Sequence, residues 1–552
     1  MKTEDKRLEE AKEGVLEYFR KIALCVLCLI TSVWQLNAQV KKVPQWERFE
    51  VALQGTSDGN PFTDVSLAAA FWQQGGDTVN VQGFYDGDGR YIIRFMPALP
   101  GMWHYVTQSN MLSLTGKQGA LECVPAVADN HGPVRVKDTH NFMYADSTVY
   151  YPLGTTAYAW THMSQPVQEK TLLSLGKARF NKLRMCVFPK NYGLCKEEPV
   201  IYPFLVKEYS SGKPVFDFTR FNPAFFRHLE KRIDNLKHLG IEADLILFHP
   251  YDKGRWGFDS MPMEVNVAYI KYLTARLASF SNVWWSLANE YDYVKAKNEA
   301  DWNILIRTVA ASDPYGHLCS IHGSTATYFP YWMEELTHTS IQDEAPVEDF
   351  GRASIVRGVY RKPVIFDEVC YEGNLASRWG RLSGPEMLHR IWQGLIAGTY
   401  VTHGECYQWN TGSMDTIFWA KGGEWRGESW KRIPFTRSLL DSLPQPLQLA
   451  DVSRDHRTAT AGDGYYLIYF GRQIQDEWLF NLPAKNASYQ KVRSGTKYKV
   501  EIIDTWNMTV TEYPGTFEVG KTIDYRHYDV NLRKVRLPLL PYLMLRVTVT
   551  NE

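Results

Sequence analysis

The sequence predicts a mixed α/β protein in which a central (β/α)8 TIM barrel lies between two smaller β-sandwich domains. Three observations carry this prediction. Residues 43–127 contain short strand-like segments separated by turns, residues 140–442 alternate between strand-like and helix-like segments, and residues 450–552 return to strand-like segments. A chain of 552 residues has room for three such domains. We expect a leader at 1–38, followed by domains at 39–128, 140–442 and 450–552.

Residues 1–38 have the pattern of a secretory signal peptide. Lys21 provides a basic flank, residues 22–33 form a short apolar stretch, and Ala38 is a small residue near the end of the segment. The apolar stretch is too short for a membrane-spanning helix, which needs about 20 residues. We therefore expect cleavage before Gln39, no integral membrane span, and export to the periplasm or the extracellular space.

A lipoprotein signal is the alternative that the sequence favours less. Cys25 and Cys28 both lie in the apolar stretch and could in principle carry a lipid. Each is preceded by Leu, at a position where lipoprotein signals have a small residue. The sequence thus favours a signal peptide that is removed without lipidation.

The block at 39–128 is predicted to be a β-sandwich. Turns rich in Gly, Asp and Pro, at 57–61 and 86–89, separate its strand candidates. The expected strands are 46–53, 63–73, 78–85, 91–96 and 101–108. Residues 128–133 are predicted to be a linker to the central block.

The central block, residues 140–442, alternates as a barrel should. Asn222 and Pro223 carry the N-cap and first-turn signals of a helix, which apolar residues continue at helical spacing until Gly240. A second helix is expected at 265–280, and Ser383 with Glu386 forms a capping box ahead of a third. Eight strand candidates fall in this block, the number that a (β/α)8 barrel needs. They are 150–155, 182–188, 243–249, 283–288, 318–322, 339–342, 363–367 and 399–405.

The last block, 450–552, is predicted to be a second β-sandwich. Pro444 and Pro446 mark its boundary with the central block. The expected strands are 465–470, 477–482, 497–504, 516–519 and 543–550.

Composition excludes several classes of function. Lys and Arg together number 61, as do Asp and Glu, so the chain lacks the basic excess of a nucleic-acid-binding protein. The eight cysteines are too few and too scattered for a disulfide scaffold. The chain contains 18 Trp, 32 Tyr and 26 Phe, which could fill a large core or line a groove for a ligand with apolar faces. Nothing in the sequence predicts the oligomeric state.

Two glutamates end strand candidates of the central block. Glu290 follows the strand candidate 283–288 and Asn289, and Glu368 follows 363–367. Functional side chains collect at the carboxyl ends of the strands in a (β/α)8 barrel. The spacing between the two glutamates corresponds to three repeats, which fits the fourth and seventh strands. Two carboxyl groups facing each other across a sugar are what glycoside hydrolysis requires, and Asn289 could donate to a sugar hydroxyl.

The motifs around these residues resemble a known superfamily. The segment 285–290, Trp-Ser-Leu-Ala-Asn-Glu, resembles the Asn-Glu motif that ends the fourth strand in the clan A glycoside hydrolases, which are retaining (β/α)8 glycosidases. The segment 362–368, Lys-Pro-Val-Ile-Phe-Asp-Glu, resembles the nucleophile motif on that clan's seventh strand. The N-terminal segments 46–50 and 101–104, and the C-terminal block, resemble β-domains that flank such barrels in bacterial polysaccharide-degrading proteins.

The resemblance implies a double-displacement mechanism on an oligo- or polysaccharide substrate. Glu290 would be the general acid/base and Glu368 the nucleophile, with no cofactor and no metal. Arg184 matches an Arg on the clan's second strand. The clan's Tyr near the sixth strand has no counterpart in 339–343, so the group that supports the nucleophile stays open between Tyr328, Tyr371 and His322.

Further residues are predicted to contact the substrate. The resemblance implies His249 and Tyr251 near the third strand and Trp409 after the eighth. Aromatic rings at strand ends are also better placed for sugar stacking than for the core, which adds Trp160 and Tyr291. The full predicted set is Asn289, Arg184, His249, Tyr251, Trp160, Tyr291, His322, Tyr328 and Trp409.

Several alternatives stay beside this interpretation. Asp367 adjoins Glu368 and could be the working carboxylate; because neighbours in a strand point to opposite faces, only one of the two should face the barrel interior. His249, His322 and His403 suggest a metal-dependent hydrolase, but no H-x-H or H-E-x-x-H spacing occurs. Residues 515–522 match a phosphate-loop pattern without the expected strand and helix around it. A catalytically inactive carbohydrate-binding barrel is the alternative function.

Overall fold

The computed structural model describes residues 40–344, 350–408, 417–450 and 457–550. The predicted signal peptide and Trp409 lie outside these residues. Within them, helices and strands are both abundant, so the mixed α/β prediction is confirmed. None of the described helices is long and apolar enough to span a bilayer.

The N-terminal part is a seven-stranded sheet that bends at β4. The strands follow the order β1-β7-β6-β3-β4-β5-β2. The first half of β4 pairs with β3 and the second half with β5, so the sheet folds over itself. Phe71 and Phe95 stack between the two halves with ring centroids 4.1 Å apart. The strands are β1 Lys41–Pro44, β2 Phe49–Gln54, β3 Leu67–Trp72, β4 Val79–Tyr85, β5 Arg90–Phe95, β6 Gly101–Ser109 and β7 Gln118–Val124.

The strand predicted at 63–73 begins later than expected. Pro61 and the three residues after it form a short helix, α1 (Pro61–Asp64), because Pro is favoured in the first turn. The strand β3 begins only at Leu67.

A small antiparallel sheet follows the predicted linker. Its strands are β8 Val134–Lys137, β9 Asn141–Tyr144 and β10 Val149–Tyr150, in the order β10-β9-β8. Phe142 from β9 is fully buried, and its ring lies 5.5 Å from that of Trp284 and 5.4 Å from that of Tyr400. This sheet therefore covers the amino-terminal end of the central strands, a role that the sequence did not predict.

Eight parallel strands form the centre of the molecule. Ladder pairings join five of them in one sheet and three in another. A bridge between His322 and Ser340 links the two sheets on one side, and the His403 N–H donates to the Gly154 carbonyl (2.8 Å) on the other, so hydrogen bonds run round a closed ring. The eight strands are β11 Gly154–Thr156, β12 Lys182–Cys186, β15 Glu242–Phe248, β16 Val283–Ala288, β17 Cys319–Ser320, β18 Thr339–Gln342, β19 Val364–Glu368 and β21 Tyr400–Val401.

Helices follow seven of the eight ring strands. Asn222 accepts from the Ala224 N–H at 3.2 Å and caps the helix after β12, as predicted. The described residues between β17 and β18 contain no helix. The helices after the ring strands are α2 Gln165–Ala178, α3 Pro223–His238, α4 Met263–Leu277, α5 Glu299–Ser312, α6 Phe350–Tyr360, α7 Gly384–Ile396, α8 Phe418–Lys421 and α9 Ile433–Asp441.

Two strand pairs extend from the ring. A hairpin of β13 (Phe204–Ser210) and β14 (Lys213–Phe221) precedes α3 and was not predicted. The short strands β20 (Glu372–Gly373) and β22 (Glu405–Cys406) pair in parallel beyond β19 and β21, at the carboxyl ends of the ring strands.

The C-terminal part is strand-rich, as its pattern indicated. Its main sheet packs on the ring through α7, where His389 Nδ1 lies 3.0 Å from the Tyr469 hydroxyl. Residues 517–522 of the phosphate-loop pattern lie in the strand β30 (Phe517–Ile523), which forms a hairpin with β31 (Arg526–Asp529), so the pattern is not a phosphate loop. The strands are β23 Gln448–Leu449, β24 Thr458–Thr460, β25 Tyr465–Tyr469, β26 Glu477–Leu479, β27 Asn481–Pro483, β28 Lys497–Asp504, β29 Thr509–Glu512, β30 Phe517–Ile523, β31 Arg526–Asp529, β32 Lys534–Arg536 and β33 Leu543–Val549.

Candidate active site

Glu290 lies at the carboxyl end of the ring, two residues after β16. Its backbone is left-handed (φ 49°), a conformation that costs free energy in a non-glycine residue and is common at functional sites. The carboxyl group is buried and accepts hydrogen bonds from the Tyr251 hydroxyl, from Gln342 Nε2 (3.3 Å) and from Asn289 Nδ2 (3.3 Å). Burial and the neighbouring Glu368 raise the pKa of Glu290 to about 7. Glu290 can therefore hold a proton near neutral pH.

Glu368 ends β19 and is buried in the same region. Its Oε1 accepts a hydrogen bond from the Tyr158 hydroxyl and lies 3.6 Å from Arg184 Nη1. Burial and Glu368 raise the pKa of Tyr158 well above its usual value, so Tyr158 donates as a neutral phenol. Glu368 thus lies beside a cation, whereas Glu290 has no cation in hydrogen-bond contact among the described residues.

Asp367 and Glu368 both face the interior of the ring, so the prediction that only one of them does is wrong. Along β18 and β19, Ile341 pairs with Phe366 but Gln342 pairs with Glu368, which leaves Asp367 as the extra residue of a bulge. The bulge interrupts the alternation of side chains and turns two successive carboxylates to the same side.

Asp367 is fully engaged in a buried ion-pair network. Its Oδ1 lies 2.7 Å from Lys182 Nζ and accepts from Thr402 Oγ1 at 2.8 Å, and Lys182 also lies 2.8 Å from Asp244. Burial opposes ionisation, but Lys182 and Arg184 hold the pKa of Asp367 well below its usual range. Asp367 is therefore a permanently charged structural partner, and Glu368 is the free carboxylate of the two.

Tyr158 and Asn289 connect the two glutamates. The Tyr158 hydroxyl contacts Glu368 and lies 3.2 Å from Asn289 Oδ1, while Asn289 Nδ2 donates to Glu290. Arg184 donates to Tyr158 and to Asn289. Its Nη1 lies 3.3 Å from the Tyr158 hydroxyl oxygen, and its Nη2 lies 3.3 Å from Asn289 Oδ1. The predicted residues Asn289, Arg184 and Tyr251 are therefore brought together with the two glutamates.

Three residues of this site were missed by the sequence reasoning: Tyr158, Gln342 and Lys190. Each follows or ends a ring strand that was itself predicted, and this position was the available signal. The group that holds Glu368 by a hydrogen bond is Tyr158. It follows the first ring strand, whereas the resemblance placed such a Tyr near the sixth. Of the three residues left open for this role, Tyr371 lies close enough to Glu368 for the carboxylate to raise the pKa of its buried hydroxyl.

The other predicted substrate-binding residues lie in different surroundings. His249 has both ring nitrogens engaged with main chain, Nε2 at 3.2 Å from the Phe188 oxygen and Nδ1 accepting from the Tyr251 N–H. Burial lowers the pKa of His249 to about 3, so it is neutral. Trp160 is fully buried, and its Nε1 donates to Met185 Sδ at 3.4 Å, which places it in the packing outside the ring.

Three further predicted residues lie around the fifth and sixth ring strands. Tyr291 packs edge-on against Phe329, with centroids 5.1 Å apart. His322 is fully buried, and burial together with Arg184 lowers its pKa well below the usual value. Tyr328 is half-buried and faces Asp343. None of these three side chains has a hydrogen bond to Glu290 or Glu368 within the described part of the chain, and their predicted contact with substrate stays a prediction.

Family comparisons agree with this geometry. The family described as "Apiosidase-like, catalytic domain" matches residues 136–444, which is more than half of the chain. The chain belongs to this family. The flanking parts of this apiosidase-like chain match two domains of unknown function, DUF5060 at 42–110 and DUF5605 at 454–548.

Solved structures are similar to this chain over most of its length. A "putative glycoside hydrolase" from Bacteroides vulgatus ATCC 8482 is 58% identical with a TM-score of 0.90, over 92% of this chain and 100% of that one. A structure named "Glycoside hydrolase" is 14% identical with a TM-score of 0.54, over 76% of this chain and 98% of that one, and shows the fold alone. No curated protein matches the chain. The prediction that this apiosidase-like chain is a glycoside hydrolase is confirmed at the level of family.

Proposed function

We propose that the chain is a retaining glycoside hydrolase in which Glu368 is the nucleophile and Glu290 the general acid/base. The observation that carries this proposal is the contrast between the two carboxyl groups at one end of the ring. Glu290 has a pKa raised to about 7, whereas Glu368 lies 3.6 Å from the Arg184 guanidinium. Two carboxyl groups whose environments differ in this way divide the roles of acid and nucleophile between them.

In the first step Glu368 attacks the anomeric carbon of the bound sugar. A bond forms between a carboxylate oxygen and that carbon while the bond to the leaving oxygen breaks, and the proton of Glu290 passes to the leaving oxygen. The hydrogen bond from Tyr158 holds Glu368 in one orientation for the attack. The Arg184 guanidinium lies 3.6 Å from the attacking carboxyl group and helps to fix its position.

In the second step water replaces the enzyme at the anomeric carbon. Glu290, now ionised, removes a proton from the water as its oxygen bonds to the anomeric carbon, and the bond to Glu368 breaks. Tyr251, Gln342 and Asn289 donate to Glu290 and stabilise its charge between the two steps. The proton taken from water restores the acid form of Glu290, so both carboxyl groups return to their starting states.

The architecture and location that we propose are those expected from the sequence. The ring of parallel strands with its helices is the (β/α)8 catalytic barrel of a clan A enzyme, and the parts before and after it are β-domains. The substrate is an oligo- or polysaccharide. Export to the periplasm or the extracellular space is supported by the signal-peptide pattern of residues 1–38.

The experiment that tests the proposal removes each carboxylate separately. Wild type, Glu290→Gln, Glu368→Gln and a control, Glu264→Gln, are incubated with plant cell-wall and host oligosaccharides, and released sugars are measured by mass spectrometry. Glu264 is exposed in the first turn of α4, so its variant should keep the wild-type rate. We expect Glu368→Gln to lose at least about 1,000-fold in kcat, and Glu290→Gln a similar factor on substrates with poor leaving groups.

Equal rates in wild type and either site variant would contradict the assignment. Glu290→Gln should hydrolyse an activated aryl glycoside far better than an oligosaccharide, since a phenolate with a low pKa leaves without a proton. Glu368→Gln should gain nothing from such a leaving group. This difference separates the acid/base from the nucleophile.

A further inference from the structure

Lys190 is a buried cation at the junction of the two catalytic glutamates. It follows β12 in a loop that the Asn191 N–H anchors to the Tyr251 carbonyl (2.6 Å). Its Nζ lies over the rings of Tyr158 and Tyr251, 3.8 and 4.1 Å from their centroids. The hydroxyl of Tyr158 is bonded to Glu368 and that of Tyr251 to Glu290. The ammonium group is therefore placed beside the point where the sugar must lie between the two carboxyl groups.

The ammonium group has no hydrogen-bond acceptor in the described part of the chain. Lys190 is only 2% exposed, and no carboxylate among the described residues lies within 4.0 Å of its Nζ. Lys182, at the start of the strand that Lys190 follows, has two such partners. Cation–π contacts stabilise the charge of Lys190 but satisfy none of its three N–H donors, and a buried donor without an acceptor is costly.

Two further donors in the same cluster lack partners. The Tyr192 hydroxyl and the Trp419 Nε1 are buried without a hydrogen bond to any described residue. The Tyr192 ring lies 5.8 Å from that of Trp419 and 5.2 Å from Lys190 Nζ, and Trp419 also packs on Tyr158. Three unpartnered donors in one cluster point to a ligand that presents acceptor oxygens.

The charges of the site favour a neutral ligand. Besides Glu290, three basic side chains stand opposite three acidic ones, Lys182, Arg184 and Lys190 against Asp244, Asp367 and Glu368. Burial lowers the pKa of Lys190 and raises the pKa of Asp244, so these two shifts act on charges of opposite sign. Lys182 lies 2.8 Å from Asp244 and 2.7 Å from Asp367, and Arg184 lies 3.6 Å from Glu368. A substrate carboxylate would add an unbalanced negative charge beside Glu368, whereas a hydroxyl would satisfy the donors without disturbing the balance.

We propose that the ammonium of Lys190 binds a hydroxyl oxygen of a neutral sugar unit in the subsite between Glu290 and Glu368. This rests on the proposed function and adds the substrate class and a specificity-determining contact. A glycoside whose unit at this position is a uronic acid is excluded. Loss of the contact should impair substrate binding and the transition state without removing either carboxyl group.

The experiment first separates neutral from acidic substrates. Plant cell-wall oligosaccharides are divided by anion exchange into a neutral and a uronate-containing fraction, and sugar release is measured for wild type and Glu290→Gln. We expect wild type to release neutral sugars and Glu290→Gln to release none. Release by both proteins at equal rates overturns the proposed function. Absence of any release by wild type overturns the function and this proposal together, and release of uronic acid alone overturns the neutral-sugar proposal.

The second part tests the contact itself. The hydrolysed neutral glycoside and its monodeoxy analogues, each lacking one hydroxyl of the released sugar, are compared with wild type, Lys190→Met, Lys190→Gln and Lys207→Met. Lys207 is exposed on β13 and serves as control. A hydrogen bond from a charged donor predicts that Lys190→Met lowers kcat/KM about 10- to 150-fold. For the analogue that lacks the hydroxyl bound by Lys190, wild type should lose the same factor in kcat/KM. Lys190→Met should lose nothing further on that analogue.

Two results would overturn the assignment of Lys190. One is a kcat/KM within twofold of wild type for Lys190→Met. The other concerns the analogue that wild type hydrolyses most weakly. The assignment fails if Lys190→Met lowers kcat/KM relative to wild type as much on that analogue as on all the others. Lys190→Gln, which keeps an N–H donor without the charge, should lie between wild type and Lys190→Met; if Lys190→Met unfolds, the same comparison with Lys190→Gln decides.

Discussion

At the scale of single residues, the proposed mechanism depends on the proton of Glu290. Its carboxyl group must be protonated in the first step, and burial together with Glu368 raises its pKa to about 7. A raised pKa means that the active, protonated form is complete below about pH 7 and is lost as the pH rises through that value. We therefore expect kcat/KM to fall tenfold per pH unit above about pH 7.

The measurement is a pH profile of kcat/KM for wild type on a hydrolysed oligosaccharide, whose leaving group needs the proton, and for Glu290→Gln on an activated aryl glycoside, which the variant can still hydrolyse. The alkaline limb should be present in wild type and absent in the variant, because Gln does not titrate. An alkaline limb with the same midpoint in both proteins would assign it to another group and contradict the role of Glu290.

The sequence predicted the two glutamates but not the residues that link them. Glu290 and Glu368 could be found because each directly ends an apolar strand segment, and such positions meet at one end of a barrel. Tyr158 and Lys190 come from loops after the first two strands. The contacts of Tyr158 with Glu368 and with Lys190 depend on how those loops close over the ring, which no local pattern encodes.

At the scale of elements, the bulge in β19 explains why Glu368 rather than Asp367 is the proposed nucleophile. Regular alternation would place Asp367 and Glu368 on opposite faces. The extra residue in β19 turns both inward, so Asp367 joins Lys182 and Arg184 while Glu368 remains free at the strand end. A bulge of one residue leaves no mark in hydrophobic periodicity, which is why the sequence predicted the strand but not its irregularity.

Gly404, in the loop after β21, leaves room for the ring of Tyr371 at the wall of the site. A Cβ at Gly404 would overlap the ring of Tyr371, which is fully buried beside Glu368. We expect Gly404→Ala to displace Tyr371, to lower the free energy of unfolding by about 1–3 kcal/mol and to reduce kcat. Thermal unfolding and initial rates check both effects.

A matched glycine provides the control. Gly358 lies in α6, where a Cβ would meet no atom within 4 Å, so Gly358→Ala should stabilise the protein by up to about 1 kcal/mol and leave kcat unchanged. Wild-type stability and activity in Gly404→Ala would show that Tyr371 has room to move and does not define the wall of the site.

At the scale of the whole molecule, patterning predicted the order of the parts better than their contacts. Strand-rich ends and an alternating centre are visible in the sequence because each element repeats its own period. Neither the small sheet that buries Phe142 against Trp284 nor the hairpin of β13 and β14 was predicted. Both gain their stability from packing on the ring rather than from local pattern.

The fold also separates the many aromatic residues into two groups. Trp284, Trp285 and Trp160 are fully buried in packing around the ring strands. Tyr158, Tyr192, Tyr251 and Trp419 instead form the cluster around Lys190, between the two glutamates. Composition alone could not separate these two groups, because both consist of the same residue types at or near strand ends.

The stereochemistry of the first-formed product tests the central claim most directly. Proton NMR spectra recorded during hydrolysis identify the anomer of the released sugar before it equilibrates in water. The proposed double displacement at Glu368, assisted by Glu290, inverts the anomeric carbon twice and so predicts that the first product has the configuration of the substrate. A first product of opposite configuration would mean a single displacement by water and would contradict the role of Glu368 as nucleophile.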